Sequence, residues 1–229
     1  MGKQLTLSAS PHIHSGRTTS RVMLDVIIAL LPATIAGCVI FGLRALAVIA
    51  LTVASAVGFE ALFNLITKKK QTIGDLSAIV TGLLLALNLP ANVPLWQCVV
   101  GALFAIIVVK CLFGGLGCNI VNPVITARVF MLVAFGSMTK AALPTIVDTV
   151  AGATPLASEQ ATSLTDLLLG LHGGAIGETC AVALLVGFIY LLVRRVITWH
   201  IPVTILGTMA IFAAIYGAVS FDNPHLVGA

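Results

Sequence analysis

Charge is what this sequence has least of. Only 9% of its 229 residues are Asp, Glu, Lys or Arg, where a soluble domain carries about 25%. With 59% hydrophobic residues and a mean hydropathy of +1.12, that deficit excludes a water-soluble domain and leaves an integral membrane protein. Alternation is missing too. The apolar runs approach about 20 residues and lack the period-two pattern of a barrel strand, so the spans are helices. Nothing in residues 1–21 resembles a cleavable leader: they are polar, and the first apolar run is long enough to span. Met1-Gly2-Lys3-Gln4-Leu5-Thr6 fits the myristoylation pattern, an anchor that a multi-span chain does not need. Finally, Cys38, Cys98, Cys111, Cys118 and Cys180 form no C-x-x-C and have no clustered histidines beside them, which favours helix packing over cluster or metal ligation. The net charge of +4 reflects the loop bias of membrane proteins, not a nucleic-acid partner.

What is present is a succession of greasy runs. A polar arm, 1–21, contains Ser10-Pro11-His12-Ile13-His14-Ser15-Gly16-Arg17. Spans follow near Val22–Phe41 and Ala45–Ile66, the second closed by Thr67-Lys68-Lys69-Lys70. The third run, Leu76–Leu89, has 14 residues and stops at Asn88-Leu89-Pro90-Ala91-Asn92-Val93-Pro94. It is short for a full span, and suits a broken or re-entrant helix buried among neighbours. A fourth span, Leu95–Phe113, leads into Gly114–Pro123, and a second short run covers Val124–Met138. The long polar segment Thr139–Gly177 comes next. In it Ser163-Leu164-Thr165-Asp166 has capping-box spacing and predicts a short leucine-rich helix ended by Gly173-Gly174. Spans six and seven are expected near Thr179–Val193 and Ile201–Val219.

Basic residues give the orientation. With a cytoplasmic N-terminus, ten of the 12 Lys and Arg fall inside; Arg44 and Lys140 fall outside. This positive-inside split counts both short runs as crossings and places the segment 139–177 outside the cytoplasm.

Three features could carry chemistry. Asp148-Thr149-Val150-Ala151-Gly152-Ala153-Thr154-Pro155-Leu156 reads blandly as a turn and a helix cap followed by proline. It also offers a sterically open threonine hydroxyl between small residues, suited to covalent modification. Glu60, with Asn64 on the same helix face, and Arg128 are ionisable groups inside apolar runs. Each costs about 2.5–3.5 kcal/mol unless paired or hydrated, so they read as a structural Glu60–Arg128 pair or as part of a cation route. Asp25 and Asp75, at span starts, read as interfacial. Gly177-Glu178-Thr179 opens span six, where Glu178 and Thr179 either cap the helix or contact a ligand attracted to its N-terminus.

Taken together, several stretches carry a resemblance. They are Ser10–Thr19, the acceptor-like Asp148–Thr154, Leu83–Pro94, Gly114–Asn119 with Asn122-Pro123, Gly177–Thr179 and Trp199-His200-Ile201-Pro202. Over the whole chain, and in the family's order, the sequence resembles the family of D subunits of the Rnf complex, the bacterial and archaeal ion-translocating ferredoxin:NAD+ oxidoreductase. The B subunit of the Na+-translocating NADH:quinone oxidoreductase is related but has a longer N-terminal region.

The resemblance implies an all-α polytopic membrane protein of about seven transmembrane or half-membrane helices in an inverted-repeat, urea-transporter-like bundle. Its parts would be the cytoplasmic arm 1–21, a first repeat 22–138 of five helices, an extracytoplasmic flavin-attachment loop 139–177, and the start of a second repeat, 178–229, in a C-terminally truncated chain. It also implies FMN held by a phosphodiester to Thr154, with Asp148, Gly152 and Ala153 in the acceptor motif and Ala151 where the family usually has Ser or Thr. Glu178 and Thr179 would contact that flavin, and Asn119 and Asn122 a second, non-covalent riboflavin. The implied partners are other membrane and peripheral subunits, including iron–sulfur and flavin subunits, an FMN transferase for maturation, and the lipid bilayer of a cytoplasmic (inner) membrane. The activity would be electron relay between ferredoxin and NAD+, coupled to Na+ or H+ movement, with sites for those substrates on partner subunits. A cofactor-free channel or transporter of the same architecture and a purely structural membrane protein are the alternatives.

Overall fold

The computed structural model describes residues 18–136, 142 and 164–222. Its described residues are all-helical, apart from one antiparallel bridge between Ala142 and Gly174. The elements are α1 (Thr19–Phe41), α2 (Leu43–Ile66), a 3₁₀ turn (Ile73–Asp75), α3 (Ser77–Leu87), α4 (Leu95–Leu103) running on as a π-helix (Phe104–Cys111), α5 (Pro123–Ala134), α6 (Leu164–Leu169), α7 (Ala181–Val193) and α8 (His200–Asp222). Packing divides the chain into a unit ending at Phe188 and a second unit, Ile189–Ala229.

Within the first unit, α1 and α2 are 23 and 24 residues long. At 1.5 Å per residue each reaches about 34–36 Å, enough to cross a hydrocarbon core of about 30 Å. The faces of α1 show which solvent it meets. Asp25, Ala29, Ala33 and Gly37 point inward, while Leu24, Ile28, Leu31, Ile35 and Val39 form a continuous exposed stripe. Small residues inside and large apolar residues outside reverse the soluble pattern and are how helices pack in lipid. This is a membrane protein.

The third helix is the hub. Nine of its 11 residues are buried, Ser77 and Thr81 among them, as expected of a helix surrounded on all sides. It packs against α1, α2, α4, α5 and the π-helix. Gly82 makes this possible: a Cβ there would lie 2.9 Å from Val53 Cα and 3.0 Å from Ala56 Cβ, so α2 and α3 meet backbone to backbone. At about 16 Å, α3 crosses only half a membrane, as its short apolar run predicts.

A helix that stops inside the membrane leaves carbonyls without donors. Here a distant loop supplies them. Ile176 N donates to Leu89 O at 3.0 Å and Gly177 N to Leu87 O at 2.8 Å, while Asn88 Nδ2 donates to Leu84 O at 2.8 Å. A Cβ at Gly177 would fall 2.6 Å from Leu87 Cβ, so only glycine lets the loop come this close. The following turn is pinned to α2 by Arg44, whose Nη2 donates to Val93 O at 3.1 Å.

Two expectations about helices change. Span four is not uniform: its second half widens to π geometry over Phe104–Cys111, a feature that often marks functional sites. The short leucine-rich helix ends at Gly170, which adopts φ +84, ahead of Gly173-Gly174, because Gly170 takes the left-handed C′ position first. Ser163 of the capping box lies outside the described residues. In the second unit, α8 exposes Ile201, Ile205, Met209 and Phe212.

Candidate functional site: a buried ion pair below the hub helix

Glu60 is buried and paired, but its partner is Lys110 and not Arg128. Glu60, on the inward face of α2, receives Lys110 Nζ on Oε2 at 2.7 Å. The two side chains are 3% and 2% exposed. Lys110 sits one residue before the end of the π-helix and also donates to Ser77 Oγ at 2.6 Å. Ser77 Oγ in turn donates to Asp75 Oδ1 at 2.6 Å, and Ser77 N to the same oxygen at 2.8 Å. On the other side, Thr72 Oγ1 donates to Glu60 Oε1 and accepts from Asn64 Nδ2 at 3.0 Å.

Six side chains from α2, the 67–76 connection, α3 and the π-helix thus form one hydrogen-bonded chain. It borders a cavity of about 240 Å³ whose lining includes Glu60, Asn64, Lys69, Lys70, Thr72 and Asp75. Such a pair is poor evidence for stability, since desolvating two charges can cost more than their attraction returns. An intramembrane pair that also opens on a polar cavity is a site where charge can be handled.

The expected Glu60–Arg128 pair does not form. Arg128 Nη1 donates instead to Asn88 Oδ1 at 2.7 Å. Asn88 follows the last residue of α3, whereas Glu60 reaches its first turn through Lys110 and Ser77. The ends of an 11-residue helix are about 16 Å apart, too far for an ion pair. Sequence reasoning counted Lys110 with the inner-side charges. Lys110 lies inside the expected span Leu95–Phe113, three residues from its end, and the signal missed is that a lysine within an apolar run needs an acidic partner such as Glu60. Asp25 faces inward and is buried, and Asp75 is half-buried.

Across the hub, Gly177-Glu178-Thr179 sits against the C-terminal end of α3. Neither side chain caps α7, which begins at Ala181. Glu178 Oε1 closes its own turn by accepting from Ala175 N at 2.9 Å. The Thr179 hydroxyl is buried, in a residue 1% exposed, with no hydrogen-bond partner among the described residues. Asn119 Oδ1 is likewise buried without a partner among them. Asn122 has a structural job: its Oδ1 accepts from Val124 N at 2.9 Å and Ile125 N at 3.4 Å, capping α5 ahead of Pro123. Asp148, Gly152, Ala153 and Thr154 lie outside the described residues. No group of three or more His, Cys, Asp or Glu that could hold a metal occurs among the described residues.

The sequence matches the NQR2, RnfD, RnfE family over residues 6–228. The chain belongs to that family. It is similar to the D subunit of the Na(+)-translocating ferredoxin:NAD(+) oxidoreductase complex of Acetobacterium woodii, with 49% identity over 222 residues, 93% of this chain and 70% of that protein. It is 35% identical over 232 residues to the D subunit of the proton-translocating ferredoxin:NAD(+) oxidoreductase complex of Clostridium ljungdahlii, covering 94% and 70%. The D subunit of the ion-translocating oxidoreductase complex of Rhodobacter capsulatus is 35% identical over 253 residues, covering 94% and 71%. The family match takes in the hub helix, the buried pair, the Gly177–Thr179 turn and the acceptor-like segment together.

Proposed function

We propose that this chain is the membrane flavoprotein subunit of an ion-translocating ferredoxin:NAD+ oxidoreductase and carries FMN on Thr154. The carrying observation is the run Asp148–Thr154, an acidic residue six before a threonine among small residues, within the span matched by the family. Relatives named as members of ferredoxin:NAD+ oxidoreductase complexes support the activity. Ferredoxin and NAD+ would bind partner subunits, among them iron–sulfur and flavin proteins.

The residues present fit flavin. The buried Asn119 Oδ1, without a partner among the described residues, matches a flavin ring N–H donor. Asn122 keeps its amide N–H groups free of the cap that engages its Oδ1, so the two asparagines would hold a non-covalent riboflavin from one side. The buried Thr179 hydroxyl suits a ribityl or phosphate oxygen of the covalent group, and Glu178 holds the turn that presents it. Bound flavin supplies one-electron transfer. Tethering it to Thr154 keeps it at high effective concentration beside its redox partners. In this reading the N-terminus is cytoplasmic, the 139–177 loop lies on the opposite side of a bacterial or archaeal inner membrane, and the helices follow an inverted-repeat, urea-transporter-like plan.

The test is in-gel flavin fluorescence of the denatured full-length protein, produced with and without an FMN transferase. A fluorescent band only with the transferase, lost in Thr154→Ala, is expected. A dark band with the transferase present overturns the flavin assignment and favours a cofactor-free channel, and a fluorescent Thr154→Ala band overturns the site.

A further inference from the structure

We propose that Lys110 is a proton-transfer station, connected through the Ser77 hydroxyl to Asp75 at the polar cavity. The inference deepens the ion-translocating role proposed above and rests on it.

Directionality carries the argument. Lys110 Nζ donates to Ser77 Oγ at 2.6 Å, and Ser77 Oγ donates onward to Asp75 Oδ1 at 2.6 Å. Both contacts lie within the reach of direct proton transfer, and both hydrogens point the same way. In the step, an N–H bond of Lys110 breaks as an O–H bond forms on Ser77. The original Ser77 O–H breaks as one forms on Asp75. Lys110 becomes a neutral amine and Asp75 a neutral acid; no electrons change hands, and water in the cavity exchanges the proton with Asp75. Reversal reloads the ammonium. Glu60 is the positioning group, since its carboxylate holds the 2%-exposed ammonium in place and is itself oriented by Thr72. The charges facing this path are Glu60 from α2, Lys69, Lys70 and Asp75 from the connection, and Lys110 from the π-helix. Lys110 lies in the π-helix Phe104–Cys111 with its side chain buried, and such widened turns recur at functional sites.

A buried pair serving only to join helices would need no polar exit. This one has an exit two hydrogen bonds long, ending on a half-buried carboxylate that lines the cavity.

The test uses the assembled complex containing the full chain, reconstituted in liposomes with a trapped pH dye and driven by reduced ferredoxin and NAD+ in sodium-free buffer. Asp75→Asn keeps the oxygen that accepts from Ser77 but cannot take up the proton. Proton movement should fall about 100-fold, the low end of general acid–base contributions. Flavin fluorescence of the band should be unchanged. Asp75→Glu and Ser77→Thr should restore movement that Asp75→Asn and Ser77→Ala remove. A second measurement compares the two complexes in D2O: proton movement by the wild type should slow, and the residual movement of Asp75→Asn should not. Wild-type proton movement in Asp75→Asn, no proton movement by the wild type, or equal isotope effects in the wild type and Asp75→Asn overturns the relay. A band without flavin overturns the proposed function instead.

Discussion

Lys110→Met tests whether the buried pair is an energetic unit. The substitution leaves behind a Glu60 carboxylate that is 3% exposed and loses its direct cationic partner at 2.7 Å. Breaking a buried pair from one side costs about 3–5 kcal/mol, mostly as the penalty of an uncompensated charge. For a chain of this size each kcal/mol moves the midpoint by about 2–4 °C, so unfolding should come about 6–20 °C earlier. Glu60→Met should cost as much, because it strands the ammonium between Ser77 and apolar neighbours. The double variant Glu60→Met/Lys110→Met removes both charges and should return to within about 1 kcal/mol of the parent. The cycle should therefore show a coupling of at least about 5 kcal/mol. The protein carries its own reporters: Cys98 and Cys111 are buried free thiols, and a fluorogenic maleimide reads their exposure on heating in detergent. Cys118 is exposed and is first replaced by Ser. The reasoning is refuted if each single variant unfolds within about 2 °C of the parent and the double shift is their sum.

The same assay tests two packing statements. Gly82→Ala sets a Cβ 2.9 Å from the α2 backbone at Val53 and should cost about 1–3 kcal/mol. Gly58→Ala meets nothing within 4 Å and should be neutral or stabilising by up to about 1 kcal/mol. Equal effects from the two would contradict the close approach of α2 and α3. Asn122→Ala removes the cap of α5 and should cost about 1 kcal/mol, which Asn122→Asp should largely avoid. Loss from both would mean that the amide nitrogen, not the capping oxygen, is what matters.

Much of the fold was legible because lipid imposes a simple rule: backbone groups must be satisfied within the segment. Run length therefore located α1, α2 and the short α3 within a few residues. The π-helix was not legible, since Phe104–Cys111 has the composition of any apolar helix and its widening depends on what it packs against. The same limit explains Glu60. Sequence depth puts Arg128 at its level, but depth says nothing about which side of α3 a residue occupies, and Lys110, inside span four, counts there only as an inner-side charge. Glu178 and Thr179 stand out in the sequence as polar residues at the opening of an apolar run. Their placement at the end of α3 depends on hydrogen bonds from Ile176 and Gly177 to Leu89 and Leu87, contacts between distant parts of the chain for which the sequence has no local signal.

Those contacts explain how α3 can be short. A full span needs nothing at its ends that water and headgroups cannot provide. A half-span has one end where neither is available, and other parts of the chain must finish it. One end of α3 is finished by backbone donors from the 176–177 loop and by Asn88, which also takes Arg128. The other is finished by side chains: Asp75 accepts from the Ser77 amide and hydroxyl, and Lys110 reaches the same hydroxyl from the π-helix. Finishing a helix end inside a membrane thus concentrates polar groups there, which a full span would avoid. The chain from Glu60 to Asp75 thus holds charge inside a bundle whose α1 face exposes Leu24, Ile28, Leu31, Ile35 and Val39.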